Sequence, residues 1–202
     1  FSDCSSLTDI NFPDRLITIE ISAFENCTKL REAILPEGIT KLGEGAFEDC
    51  SSLKKASVPD NIELMSRTFL GCSALTEVKL PKNLKTMNAV FYSCSSLQNV
   101  TIPDTVETMS SVFPYCRNLK SITLPANLKQ LGDGVFRHCS SLKKVVIPEG
   151  TLTIGSGLFE YCTYLSEVYF PKSIESIKGD LKNTYWGDDS TNPLIYVYDN
   201  TY

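Results

Sequence analysis

Eight of the ten phenylalanines and all eight cysteines of this chain recur in register, and that recurrence constrains its fold more than any other feature. The cysteines stand at 4, 27, 50, 72, 94, 116, 139 and 162, at intervals of 22 or 23 residues. Three residues before each stands a phenylalanine: Phe1, Phe24, Phe47, Phe69, Phe91, Phe113, Phe136 and Phe159. Three residues after each stands a leucine, from Leu7 to Leu165, and nine after each a proline, from Pro13 to Pro171. A fixed period of this length describes one small unit that cannot bury its own apolar face and must stack on copies of itself.

One rung can be read physically. Leu119 to Pro125 alternates apolar and polar near its end, which predicts a short strand with one face buried. Proline then ends the strand, having no N–H for a ladder. Turn-favouring pairs follow three of the prolines: Glu37-Gly38, Asp60-Asn61 and Asp104-Thr105. Leu128 and Leu131 then cross the opposite side of the coil, and Phe136 plugs the interior as the chain turns back. The period and the leucine pattern signal a leucine-rich-repeat solenoid.

The three 22-residue intervals lose their residue between proline and phenylalanine. Long rungs carry Leu42-Gly43-Glu44-Gly45-Ala46-Phe47 or Leu131-Gly132-Asp133-Gly134-Val135-Phe136; short ones carry Met65-Ser66-Arg67-Thr68-Phe69 and counterparts at Met87 and Met109. Methionine fills irregular gaps, so the three methionines are expected to repack a tighter bend.

The rungs resemble the BspA-like, or Treponema-type, class of leucine-rich repeats. The shared pattern is Leu-x-x-Ile-x-Leu-Pro-x-x-Leu-x-x-Ile-x-x-x-x-Phe-x-x-Cys, met at Leu97 to Cys116 and, one residue longer, at Leu119 to Cys139. The expected fold is an α/β-type horseshoe of mostly short strands with turns and short helical bends. It should coil right-handed through about eight 22–23-residue rungs, the first partial, over residues 1–177. Residues 178–202 should add a polar loop and a capping strand, Leu194 to Tyr198, to the same domain. The chain opens at Phe1 inside a repeat, so an upstream part is expected. At Gly150-Thr151-Leu152 the apolar residue after the proline arrives one place late, so irregular packing is expected there. The resemblance implies a bacterial surface or secreted protein with an adhesion or ligand-binding role and no catalytic residues.

Chemistry-bearing residues offer little beyond this. A net charge of −5 argues against a nucleic-acid partner, and no apolar run is long enough for membrane insertion of this fragment. The cysteines share one interior position, so a column of buried free thiols is expected. Without Cys-x-x-Cys pairs or converging histidines, no metal or cofactor is expected. His138, the single histidine, takes a variable place before Cys139 filled elsewhere by Asp3, Asn26, Asp49, Gly71, Ser93, Tyr115 and Tyr161, as in a solvated bend.

The outward positions of the predicted strands form the best candidate ligand face, on what should be the concave side. Arg31, Lys55, Lys79, Thr101, Thr123, Lys144, Val146 and Tyr169 represent it. With the residues following each leucine, that face holds seven basic and four acidic side chains, an excess suited to an acidic ligand. The partner would be a host or neighbouring-cell protein or glycan, bound by a monomer; a spacer with no ligand is the alternative. A second aromatic cluster, Tyr164, Tyr169, Tyr185, Trp186, Tyr196, Tyr198 and Tyr202, reads more readily as a cap than as a binding patch.

Overall fold

The computed structural model describes residues 1–178 and the backbone of 194–197. The strands are β1 (Thr18–Ile19), β2 (Glu32–Ile34), β3 (Lys41–Leu42), β4 (Lys55–Ser57), β5 (Leu64–Ser66), β6 (Glu77–Lys79), β7 (Thr86–Asn88), β8 (Thr108–Ser110), β9 (Gln130–Leu131), β10 (Lys144–Val146), β11 (Thr153–Ile154), β12 (Glu167–Phe170), β13 (Ser176–Ile177) and β14 (Leu194–Val197). Every pairing is parallel and joins one rung to the next, so the molecule is a parallel β-solenoid.

Several of the expectations change, the distribution of strands first. The side crossed by Leu128 and Leu131 carries the longest sheet, six strands in the order β13-β11-β9-β8-β7-β5. The side predicted to hold a strand in every rung carries only β2-β4-β6 and β10-β12-β14. Leu119 to Pro125, expected to hold a strand, forms none, and neither does Leu97 to Pro103. Val100 and Ile122 still pack against the core there, but the ladder between them is open. The gap flanks the place where rung length returns from 22 to 23 residues. On the other side, β3 fails to pair with β5 where the length first drops. A rung that gains or loses a residue cannot keep both sides in register with its neighbour.

The second correction concerns the bends: among the described residues there is no helix. The backbone shows why. The residue before every cysteine has positive φ, from Asp3 at 61° through His138 at 59° to Tyr161 at 60°. So does the residue two before each phenylalanine from Phe24 onward: Ser22, Gly45, Arg67, Ala89, Ser111, Gly134 and Gly157. Two left-handed residues four apart break any right-handed helix.

The bends are nevertheless laddered as firmly as strands. Ala89 N–H donates to Ser110 O (2.9 Å), Phe91 N–H to Val112 O (2.9 Å) and Ser93 N–H to Pro114 O (2.8 Å), and the pattern repeats along the stack. Each buried cysteine adds a fourth link in the opposite direction. Its thiol donates to the carbonyl of the preceding rung's phenylalanine, as from Cys94 to Phe69 at 3.1 Å and from Cys116 to Phe91 at 3.0 Å.

The core is a set of columns. The phenylalanine rings from Phe1 to Phe159 stack nearly parallel, with centroids 5.2 to 6.0 Å apart. Seven cysteines are buried; Cys4, in the first rung of the stack, is exposed, against the expectation for a full column. Met65, Met87 and Met109 occupy the inward column shared with Ile19, Leu131 and Ile154 and are fully enclosed. Short rungs keep three-residue strands around methionine (β5, β7, β8), whereas most long rungs have two residues there and then an extra one. In long rungs that extra residue is often glycine: a Cβ on Gly43 or Gly155 would lie 2.3 Å from the backbone of the rung before.

The irregularity at Gly150 is in the backbone, which turns to φ 87° where no other described rung has positive φ at that place, and the packing closes over it. Thr151 takes the apolar column, fully buried, and its hydroxyl donates to Leu128 O at 3.2 Å. At the far end β14 extends β12 in register, Val168 opposite Ile195 and Phe170 opposite Val197. Tyr185, Trp186, Tyr198 and Tyr202, and the loop expected up to Pro193, lie outside the described residues.

Candidate ligand-binding face

The outward residues of β10 and β12 form the densest group on the strand side. Parallel pairing sets Lys144 opposite Glu167 and Val146 opposite Tyr169. Lys144 Nζ lies 3.2 Å from Glu167 Oε2 and 4.5 Å from the Tyr169 ring centroid. The Tyr169 hydroxyl donates to the same Glu167 oxygen at 3.1 Å. The ammonium beside Glu167 holds its carboxyl below the usual range; desolvation and the neighbouring carboxylate push the Tyr169 phenol up. Val146 stays 36% exposed beside this triad. The result is an ordered cation, phenol and apolar surface.

The remaining expected site residues do not join it. Lys55, on β4, pairs with Glu77 at 3.0 Å, and Lys79, on β6, lies 3.8 Å from Glu37. Arg31 is exposed just before β2, where its carbonyl accepts from Lys54 N–H. Thr101 and Thr123 are exposed in the two rungs without strands. The strand lysines of the expected face are therefore neutralised by carboxylates of other rungs.

A second surface escaped sequence reasoning. The outward residues of β5, β7 and β8 line a shallow depression of about 550 Å³ with Leu64, Ser66, Thr86, Asn88, Thr108 and Ser110. Leu64 is 57% exposed at its edge. The signal was present in the three aligned triplets Leu-Met-Ser, Thr-Met-Asn and Thr-Met-Ser, which read as strands once stacked.

His138 is sandwiched between Tyr115 and Tyr161, with ring centroids 4.3 and 4.2 Å away. Partial burial, reinforced by Arg137 and Arg117, lowers its pKa against the opposing pull of Glu160. A stacked ring at a left-handed backbone position serves packing rather than proton transfer. Among the described residues, no group of three or more His, Cys, Asp or Glu side chains could hold a metal ion. Nor is any described helix long and apolar enough to cross a membrane.

Residues 1–111 and 87–181 match the family described as BspA type leucine rich repeat region, in six copies. The chain belongs to that family. Among solved structures, a Treponema pallidum leucine-rich-repeat protein is similar at 27% identity and TM-score 0.71, over 80% of this chain and 77% of that one. A leucine-rich-repeat protein from Bacteroides ovatus shares the fold at 24% identity and TM-score 0.59, over 94% of this chain and 69% of the other. So does a leucine rich cell surface protein from Faecalibacterium prausnitzii, at 22% identity and TM-score 0.59, over 85% and 65%. A search of curated proteins finds no significant match.

Proposed function

We propose that this BspA-type solenoid is a non-catalytic, extracellular interaction module of a bacterial surface protein. Residues 1–177 form the working stack, and 178–202 close it. It acts as a monomer and binds a protein or glycan through the strand side, centred on Lys144, Val146 and Tyr169. The observation that carries this reading is the ordered group on β10 and β12, a lysine, a carboxylate and a phenol fixed by one another beside an exposed valine. Pre-ordered side chains lose little entropy on binding, and tyrosine offers both apolar area and a hydroxyl. The seven buried cysteines suit an oxidising environment, since buried protonated thiols are poor nucleophiles.

The test is an array of glycans and extracellular-matrix proteins probed with the chain, alongside Lys144→Ala and Tyr169→Ala. A ligand retained by the native protein and lost by both variants supports the reading. A ligand retained by both, or none at all, favours a spacer that holds other domains away from the cell.

A further inference from the structure

The edge of the solenoid between each cysteine and the following strand is chemically unlike the rest of the surface. Three side chains per rung turn outward there: the two after each cysteine and the one after each leucine. Across eight rungs these 24 positions hold six cations and no carboxylate, in a chain with 24 acidic residues and a net charge of −5. The cations are Lys29, Arg31, Lys54, Arg117, Lys120 and Lys143, and all six are exposed.

Their partners set them further apart. On the neighbouring strands the lysines are neutralised across rungs, as in Lys55–Glu77 and Lys144–Glu167. Among the described residues none of the six edge cations has a carboxylate within ion-pair distance, so their charge is uncompensated locally. Most of the other edge positions are serine or threonine. Several of these hydroxyls donate to the previous rung, Ser95 to Ser73 O at 3.4 Å and Ser166 to Lys143 O at 3.2 Å, which holds the edge rigid.

We infer that this edge is a binding track for a linear sulfated polysaccharide lying along the solenoid axis. From the rung of Lys29 to that of Lys143 is five steps of about 4.8 Å, so the track runs about 24 Å. The cations fall in two groups, Lys29, Arg31 and Lys54 in one half and Arg117, Lys120 and Lys143 in the other, separated by two rungs of uncharged residues, Ser73, Ala74, Thr76, Ser95, Ser96 and Gln98. A linear chain whose sulfates are spaced along its length reaches both groups, and the sugar between them meets the uncharged rungs. Hydroxyl-rich flanks suit sugar hydroxyls. This track abuts the Lys144–Tyr169 group at Lys143 but shares no substituted residue with its test, so either surface can fail its test alone.

The experiment measures binding of the chain to immobilised heparin at low and physiological salt. It compares the native protein with Arg117→Gln/Lys120→Gln/Lys143→Gln and with a charge-matched control, Lys41→Gln/Lys82→Gln/Lys85→Gln. All six sites are exposed, and circular dichroism checks that both variants fold. The track variant should lose at least about tenfold in affinity while the control stays within about twofold, and native binding should weaken as salt rises. Equal losses in both variants, no heparin binding at low salt, or equally tight binding of duplex DNA would each overturn the assignment.

Discussion

The Cys94 thiol donates to the carbonyl of Phe69, 25 residues earlier and one rung away, at 3.1 Å. The same bond joins every buried cysteine to the phenylalanine of the rung before it, between 2.9 and 3.2 Å. The cysteine is thus a volume filler that also closes a polar group. Replacing Cys94 by alanine removes buried sulfur and the donor, and should cost about 2 kcal/mol. Cys94→Ser keeps a donor and should cost less; urea denaturation of both variants reads the order, and a larger loss for serine would show that the bond contributes little.

Burial also pushes these thiols up, Cys50 and Cys162 to about 12. Thiolate is the reactive form, so the native protein at pH 8 should react with an aromatic disulfide reagent only at Cys4. Denaturant should expose all eight cysteines. Rapid reaction of several native thiols would contradict the column.

His138 titrates below its ordinary value in the folded chain. The unfolded state therefore takes up its proton first as pH falls. The contribution of this residue is fully present above the unfolded pKa near 6.5 and is lost as pH falls from there through the folded value. His138→Tyr keeps an aromatic ring between Tyr115 and Tyr161 and should remove that component from the stability profile between pH 7 and 5. An unchanged pH profile would mean that the shift does not operate.

Two glycines should fail for different reasons. Gly134 has φ +58°, and a Cβ there would meet only Arg137 Cβ at an ordinary 3.8 Å, so Gly134→Ala should cost about 1 kcal/mol in backbone strain. Gly155 has no such φ, but its Cβ would strike Asp133 N and Gly132 C at 2.3 Å, so Gly155→Ala should cost about 3 kcal/mol through overpacking. Conversely Ala89, at φ 48°, should tolerate glycine with a gain of about 0.5 kcal/mol, strain relief outweighing unfolded-state entropy. Thermal denaturation of the three variants gives the ranking.

What was legible in the sequence was whatever repeats as a residue type. The phenylalanine, leucine and cysteine columns were read directly, because each recurs at one inward position. The second sheet was not: its strands are two or three residues long around a single inward residue such as Met87, too short for alternation to register. The left-handed positions were half visible. Asp3, Asn26, Asp49 and Gly71 are types that favour that conformation, but Tyr115, Arg67 and Ala89 occupy it only because the ladder holds them there. The pairing of Lys55 with Glu77 and of Lys144 with Glu167 depends on the rung register, so a count of charges residue by residue does not separate these paired lysines from Arg31, Lys54, Lys120 and Lys143, which have no carboxylate within ion-pair distance among the described residues.

The rungs stand only as a stack, held by the phenylalanine and cysteine columns. Phe91 is fully buried, with the rings of Phe69 and Phe113 stacked on either side. Equilibrium denaturation of Phe91→Ala tests this most directly: a loss of about 3–5 kcal/mol is predicted, and an unchanged midpoint would contradict the account.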